Sequence, residues 1–290
     1  MPNEAAAESV IQLMKEAAEA NLEDSFRKGA LVELPPEGDL VMTGDLHGNR
    51  INYQKIVEHA ALSRSRDRHL ILHEILHALS LTVDGRDLSF QVLEMSARLK
   101  TYFPDQVHFM MGNHDLGELL DMDIKKGSNS SIKGLERGLA AAYGEMKNEV
   151  REAYKDFIAS MPSAVRTPNR VFISHSIPHI KYLSLFSQDV FQSPVEMENV
   201  HRDHYLYRLV WGRQLSQEAS DQFAEIVDAD LLITGHMPVE EGYSVPNTRH
   251  LILDSKDKNG CYAVFPLDKE ITHNDLVQTV RRIRTNKRMV

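Results

Sequence analysis

The first half of the chain repeats one order of positions: a short apolar run, a polar turn, then a stretch with apolar residues at helical spacing. The apolar runs at residues 40–42, 69–72 and 107–111 predict β-strands. Residues 51–62 and 89–102 between them predict amphipathic helices. Strands that alternate with helices are typical of βαβ units, so we expect an α/β fold.

The second half combines a helical segment with a return of the strand pattern. Residues 135–158 predict one or two helices, which we expect to form a helical insert over a sheet, at about residues 122–160. The Lys, Gly and Ser content of residues 125–133 predicts a mobile loop. Further strands are predicted at residues 170–173, 231–234 and 250–253.

Both ends of the chain predict helices. Residues 4–28 have apolar positions at helical spacing, and Pro35 and Pro36 follow them. Residues 274–290 predict a helix that becomes basic from Arg281 onward. Because no internal repeat occurs, we expect one domain over residues 1–290. Its expected parts are an N-terminal helical extension (1–36), a core that carries the insert (37–268) and a basic C-terminal helix or tail (269–290).

Several predicted strands end in turns that are crowded with metal-ligand side chains. Gly, Asp and Asn favour turns over helix interiors, so the clusters at residues 44–49 and 112–115 are expected just past a strand. Open α/β sheets carry their chemistry at that position. The candidate ligands are Asp45, His47, Glu74, Asn113, His175 and His236. This mixture of carboxylate, amide and imidazole suits manganese, iron or zinc better than calcium.

A carboxylate can bridge two such ions about 3.5–4 Å apart, and the pair can then act on both oxygens of a phosphoryl displacement. We therefore expect two divalent ions, with Mn²⁺ as the first expectation and Fe or Zn as the alternatives. His114 adjoins the ligand Asn113 but should point in a different direction. That position suits His114 to protonate the leaving group as a general acid.

Composition excludes several other classes of protein. A net charge of −9 gives no broad positive field for general nucleic-acid binding. No segment approaches the roughly 20 apolar residues that a membrane span requires. Cys261 has no second cysteine to pair with, and the N-terminus has no basic stretch followed by an apolar one. We expect a cytoplasmic protein, and its oligomeric state stays open.

Four blocks occur in order within residues 40–265. They are Gly-Asp-Leu-His-Gly at 44–48, Gly-Asn-His-Asp at 112–115, Val-Phe-Ile-Ser-His at 171–175 and Ile-Thr-Gly-His at 233–236. In this order they resemble the calcineurin-like metallophosphoesterase superfamily, and specifically its phosphoprotein phosphatase branch, which includes Ser/Thr protein phosphatases and bacterial diadenosine tetraphosphatase. Residues 157–162 and the Val-Trp-Gly-Arg segment at 210–213 resemble further stretches of the protein phosphatases.

The resemblance implies a fold and a division of the ligands. The fold is a four-layer α/β/β/α sandwich with mixed sheets and metal-bearing loops at one edge. Asp45, His47 and His236 would hold one ion, Asn113 and His175 would hold the other, and a carboxylate of the second block would bridge both. His114 would be the catalytic acid, and Asn113 would also contact the substrate phosphate.

The second block departs from the family's pattern, which is Gly-Asp followed by an Asp-Arg-Gly turn. Glu74 stands in the place of the bridging aspartate, and His73 replaces the glycine, as an added ligand or as a group that supports one. The absent turn should supply an aspartate that orients the catalytic histidine and an arginine that binds phosphate. Asp84, or else Asp87, is the candidate for the first role.

Two arginines are candidates for phosphate binding. Arg86 is the nearest to the absent turn along the chain, and Arg213 belongs to the Trp-containing segment. The expected function is dinuclear-metal-dependent hydrolysis of a phosphoric ester, on a phosphorylated protein or a small phosphoester, in the manner of a Ser/Thr protein phosphatase. One alternative is a nucleotide or dinucleoside polyphosphate hydrolase. The other is a binding protein of the same fold with weak catalysis or none.

Overall fold

The computed structural model describes residues 4–126 and 129–283, which form helices and strands in alternation. The strands are β1 (Arg27–Lys28), β2 (Leu31–Glu33), β3 (Asp39–Asp45), β4 (Arg68–His73), β5 (Val107–Met110), β6 (Lys125–Lys126), β7 (Asn129–Ser130), β8 (Ala164–Arg166), β9 (Val171–Ser174), β10 (Leu231–Thr234), β11 (Tyr243–Ser244), β12 (His250–Leu253), β13 (Cys261–Pro266) and β14 (Val280–Arg282). The helices are α1 (Glu4–Leu22), α2 (Arg50–Ala60), α3 (Phe90–Tyr102), α4 (Asn113–Leu119), α5 (Ser131–Tyr143), α6 (Lys147–Ala159), α7 (Asp189–Gln192), α8 (Tyr205–Val210), α9 (Gln217–Ile226) and α10 (His273–Gln278).

Two mixed sheets form the centre of the molecule. The large sheet has the strand order β1-β2-β8-β9-β10-β12-β11, and the small sheet has the order β14-β13-β3-β4-β5. In the large sheet, β9, β10 and β12 are parallel neighbours. In the small sheet, β3, β4 and β5 are parallel, whereas β13 and β14 pair antiparallel at the edge.

Alternation along the strands divides the apolar residues among three cores, because successive side chains of a strand point to opposite faces. Leu40 and Met42 of β3 pack between the two sheets, while Val41 faces the helices α1, α3, α5 and α6. In the same way Phe172 of β9 faces α7, α8 and α9 on the far side of the large sheet. The predicted four-layer α/β/β/α sandwich with mixed sheets is confirmed.

The two ends of the chain differ from their predictions. The first helix ends at Leu22, because the Asp24 carboxylate turns inward and accepts the backbone N–H of Phe26 instead of continuing the helix. Residues 280–282, predicted as helix, form strand β14, since the edge of β13 offers backbone partners there. The remaining predicted tail, 284–290, lies outside the described residues, and the division into parts stays a prediction.

The helical insert is present as α5 and α6, and both pack on the core of the small sheet. The segment predicted as a loop at 125–133 includes a small hairpin of β6 and β7 before α5 begins, and residues 127–128 lie outside the described part. Across the described residues, no helix is both long and apolar enough to cross a membrane. The cytoplasmic location stays a prediction.

The parallel strands of both sheets end at one edge of the sandwich. A β-bridge between Asp45, at the end of β3, and Asp254, just past β12, joins the two sheets there. Ser255 also donates its backbone N–H to the carbonyl of Asp45, at 3.1 Å. The strand-end turns that carry the candidate ligands are therefore neighbours in space.

A buried charge network ties the N-terminal extension to the sandwich. Lys100 Nζ and His108 Nδ1 each lie 2.8 Å from Asp24 Oδ2, and Lys100 also donates to the carbonyl of Val107 at 2.8 Å. Burial alone would raise the pKa of the Asp24 carboxyl, but His108 and Lys100 outweigh it and hold that pKa well below its usual range. Asp24 is therefore a carboxylate with two buried partners.

Asp24→Asn should destabilise the protein by about 3–5 kcal/mol at pH 7, because it leaves the buried Lys100 charge without its counter-ion. The folded-state pKa of Asp24 lies below its unfolded value of about 3.9, so this contribution is complete above that pH and is lost as the pH falls toward the folded-state pKa. Urea unfolding should accordingly show a smaller difference from wild type at pH 3 than at pH 7.

The matched control is Asp228→Asn, which removes a carboxylate from an exposed pair with Arg170. A surface pair of this kind should contribute at most about 1 kcal/mol. An Asp24→Asn protein that is no less stable than the control at pH 7 would contradict the assigned role of the network.

Candidate metal centre

The first ligand turn follows β3. Gly44 lies so close to β12 that a Cβ on it would meet the Leu253 carbonyl carbon at 2.2 Å, which excludes a side chain there. Beyond it, Asp45 and His47 face the ligand edge. His47 has φ +44°, and its backbone N–H donates to the carbonyl of Glu74 at 2.9 Å. The first and second ligand turns are thus joined through the main chain.

The second turn follows β4 and carries Glu74, which is buried and has φ +41°. Glu74 Oε1 accepts the backbone N–H of His114 at 2.7 Å, and Glu74 Oε2 lies 3.2 Å from His175 Nε2. Gly112 makes room for this carboxylate, because a Cβ on it would lie 2.4 Å from Glu74 Oε1. Glu74 therefore reaches the turns that follow β5 and β9.

The other ligand turns come from three strands. Asn113 is the first residue of α4, just past β5, and His175 directly follows β9. His236 follows β10 with φ +64°, and its backbone N–H lies 3.1 Å from each carboxylate oxygen of Asp45. The left-handed conformations of His47, Glu74 and His236 are strained for residues with a Cβ, and such strain is concentrated at functional sites.

Four atoms that can accept hydrogen bonds converge at the centre. His175 Nε2 lies 2.8 Å from Asn113 Oδ1, 3.0 Å from His236 Nδ1 and 3.2 Å from Glu74 Oε2, and His236 Nδ1 lies 2.9 Å from Asn113 Oδ1. Burial lowers the pKa of His236 to about 4 and that of His175 well below its usual range. Neutral imidazoles carry too few hydrogens to satisfy all of these contacts. The arrangement fits a cation between them.

A second group lies beside the first. Asp45, His47 and Glu74 each offer one ligand atom within 4.8 Å of the others. Glu74, His175 and His236 form a further set by the same measure, and Glu74 belongs to both sets. Asp45, His73 and His175 also meet this measure, which places His73 between the two sets. The residues thus fit two divalent ions that share one carboxylate, which is the composition expected for a dinuclear centre.

All six predicted ligands are brought together, but the His236 ring lies with the other group of ligands than the one that the resemblance implied. The sequence grouped it with Asp45 and His47, whereas its Nδ1 faces Asn113 and His175. Only the backbone N–H of His236 reaches Asp45. The left-handed turn after β10 directs the ring away from the first group.

His114 lies at the rim of the centre. Its ring centroid is 4.9 Å from that of His47 and 5.4 Å from that of His77. Asp84, predicted to orient His114, is not brought to it: the Asp84 carboxylate lies 2.7 Å from Arg86 Nε, accepts from Thr82, and is more than half exposed. A tight turn closed by Thr82 and Gly85 keeps Asp84 within its own loop.

His77, three residues after Glu74, lies beside His114. Its Nε2 lies 3.3 Å from Glu118 and its Nδ1 lies 3.8 Å from Asp87, and Arg151 Nε reaches the other oxygen of Glu118 at 2.5 Å. Burial alone would lower the pKa of His77, but the two carboxylates raise it to about 9. Glu118 lies one helical turn after His114 on α4, a spacing that could have indicated this neighbour.

Of the two arginines predicted to bind phosphate, one lies near His236 and the other pairs with a carboxylate of its own loop. Arg86 contacts Asp84 within its own loop. Arg213 Nη1 lies 3.5 Å from the sulfur of Met237, and its charge contributes to the lowered pKa of His236. Lys256, which the sequence analysis did not single out, pairs with Asp254 near the ligand edge. Lys256 follows the end of β12 by three residues. The expectation that polar groups just past a strand lie at the ligand edge could therefore have indicated it.

Comparison with known proteins identifies the family. A model described as calcineurin-like phosphoesterase matches residues 39–240, which is more than half of the chain and includes every candidate ligand. The chain belongs to the calcineurin-like phosphoesterase family. Members of this family use divalent metal ions, and the two ligand sets that share Glu74 lie within the matched region.

Two curated relatives are named as Ser/Thr phosphatases. A probable serine/threonine-protein phosphatase of Encephalitozoon cuniculi is 22% identical over 232 residues, which cover 74% of this chain and 46% of that protein. Serine/threonine-protein phosphatase 5 of Arabidopsis thaliana is 21% identical over 254 residues, covering 79% of this chain and 42% of that protein. The chain thus spans less than half the length of these relatives.

Solved structures of similar fold include two phosphatases. A serine/threonine phosphatase of Saccharomyces cerevisiae, described as similar to human PP5, superimposes with a TM-score of 0.70 at 14% identity, covering 94% of this chain and 88% of that one. A cold-active protein-tyrosine phosphatase of a Shewanella species gives a TM-score of 0.58 at 13% identity, covering 90% and 84%. At such identities the likeness concerns the fold alone.

Glu74→Ala should lower the bound metal from the two ions expected per chain to one or fewer, because Glu74 belongs to both ligand sets. Metal content after incubation with Mn²⁺ and desalting, measured by inductively coupled plasma mass spectrometry, checks this. Glu152→Ala removes an exposed carboxylate on α6 and should leave the content unchanged. Full retention of metal by Glu74→Ala would contradict the shared role.

Proposed function

We propose that the chain is a dinuclear-metal-dependent phosphoric ester hydrolase that acts on phosphoserine or phosphothreonine in proteins. The observation that carries the proposal is the pair of ligand sets that share Glu74, with His114 fixed at their rim by its backbone N–H. The names of the two curated relatives support the choice of substrate.

In the proposed reaction, Asp45, His47 and Glu74 would hold one ion, and Glu74, Asn113, His175 and His236 would hold the other. When bound, a pair of divalent ions activates water and offsets the charge that develops on the phosphoryl oxygens. These ligands are held with little freedom, because their side chains are buried and their turns are joined by main-chain hydrogen bonds. Such preorganisation lowers the cost of reaching the transition state.

His114 is proposed to donate a proton to the leaving oxygen. Its backbone N–H is held by Glu74, and its ring lies between those of His47 and His77. The ring is therefore fixed next to the ligands without belonging to either ligand set. This placement suits a general acid, which must reach the leaving group while the phosphate is bound at the ions.

Arg213 and Asn113 are proposed to bind the phosphate. Arg213 lies on the His236 side of the centre and has a planar guanidinium that suits a phosphate with two parallel hydrogen bonds. Arg86 is less suited, because its partner Asp84 holds it within the loop. The alternative of a fold that only binds a partner is disfavoured by the presence of both ligand sets.

His114→Ala should lower kcat by at least about 100-fold on a phosphoserine peptide, because general acid catalysis contributes roughly 10²–10⁴-fold. Its metal content should stay that of wild type. Steady-state kinetics with Mn²⁺ and the metal assay above check both parts. The control is His201→Ala, an exposed histidine far along the chain from every candidate ligand. Unchanged activity in His114→Ala would refute the proposed mechanism.

Arg213→Ala should raise KM for the phosphoserine peptide by about 10-fold or more, since a charge-assisted hydrogen bond is worth about 1.5–3 kcal/mol, and Arg213→Lys should recover part of the loss. Arg170→Ala, an exposed arginine paired with Asp228 and Asp230, serves as the control. A phosphotyrosine peptide and diadenosine tetraphosphate tested beside the phosphoserine peptide decide the substrate class. A higher kcat/KM for either would overturn the proposed substrate.

A further inference from the structure

His73 connects the two ligand sets without being one of the six expected ligands. It is the last residue of β4 and is fully buried. His73 Nδ1 faces Asp45 Oδ1 at 3.5 Å, and His73 Nε2 lies 2.7 Å from His175 Nδ1. The two rings meet edge to face, with centroids 4.8 Å apart and an interplanar angle of 81°.

The surrounding backbone is adapted to this ring. A Cβ on Gly235 would lie 2.2 Å from Asp45 Oδ1 and 2.7 Å from His73 Cε1, so only glycine leaves space where Asp45 and His73 meet. The backbone N–H of His73 donates to Thr43 Oγ1 at 3.0 Å, which holds the residue in the strand. His73 is therefore a built-in part of the centre rather than a side chain that fills a gap.

The 2.7 Å contact between His73 Nε2 and His175 Nδ1 requires one hydrogen between the two nitrogens, and only a hydrogen on His175 Nδ1 leaves His175 Nε2 able to bind a metal ion. In that arrangement His73 Nε2 accepts, and the hydrogen of the neutral His73 ring is on Nδ1, which faces Asp45 Oδ1 at 3.5 Å, longer than a hydrogen bond. His175 Nε2 is left with a free lone pair, directed at Asn113, Glu74 and His236.

We propose that His73 is a positioning residue that fixes the tautomer of His175, so that His175 Nε2 is available to a metal ion. The inference rests on the proposed dinuclear centre and deepens it. A ligand histidine usually donates its second ring N–H to a carboxylate, a carbonyl or water, and loss of that partner typically lowers metal affinity 10–100-fold. In this chain the His73 imidazole is the group that accepts the second ring N–H of His175, and it also faces Asp45, a candidate ligand of the other set.

His73→Leu should weaken Mn²⁺ binding at one of the two sites by 10–100-fold, as measured by isothermal titration calorimetry of the metal-free protein. His73→Gln should recover most of the affinity, because its amide can accept from His175 Nδ1 and donate toward Asp45. His69→Leu is the matched control: His69 lies on the same strand and the same face, is buried, and contacts His108 instead of a ligand. It should leave both sites unchanged.

The second readout needs neither metal nor activity. Nitrogen-15 NMR of histidine-labelled, metal-free wild type should show His175 with its hydrogen on Nδ1, and His73→Leu should shift it toward the other tautomer. A wild-type His175 with its hydrogen on Nε2 would overturn the proposal, as would unchanged Mn²⁺ affinity in His73→Leu. If the wild type binds no metal, the proposed function fails, while the NMR result still decides the role of His73.

Discussion

An excess of hydrogen-bond acceptors over donors is the constraint on which this structure depends. At the common edge of the two sheets, an amide oxygen, a second ring nitrogen and a carboxylate oxygen lie 2.8, 3.0 and 3.2 Å from His175 Nε2 in a buried space, where an unsatisfied polar group costs roughly 1–3 kcal/mol. Each neighbouring feature serves this convergence: glycines at 44, 112 and 235 admit close approach, and three ligand residues have positive φ. Such a cluster is stable only with a cation or a compensating network, and the surrounding fold provides the rigid frame.

The sequence predicted the frame and the convergence of the candidate ligands because both follow from short-range rules. Strands were recognisable from apolar runs, and the carboxyl ends of parallel strands must meet at one edge. A polar group just past each apolar run was therefore enough to bring Asp45, Asn113 and His175 together. The alternation of Leu40, Val41 and Met42 likewise follows from the pleat of a strand and decides which core each one joins.

What the sequence did not predict depends on side-chain direction and on long-range partners. The turn after β10 rotates the ring of His236 toward Asn113, and no local pattern specifies that rotation. The partner of His77 is Glu118, which lies on another element of the chain. Asp84 was the candidate nearest to the family's absent turn, but its contact with Arg86 holds it within its own loop. The strand at residues 280–282 reflects the same cause, because a free sheet edge overrides helical spacing in a short segment.

The bridge between Asp45 and Asp254 has a mechanical consequence. The two sheets share main-chain hydrogen bonds at the edge that carries the ligands, whereas at the opposite end a side chain joins them, since Asn169 Nδ2 donates to the carbonyls of Pro266 and Lys269. Because backbone atoms form the link at the ligand edge, main-chain geometry rather than side-chain packing sets the spacing between candidate ligands that come from different sheets.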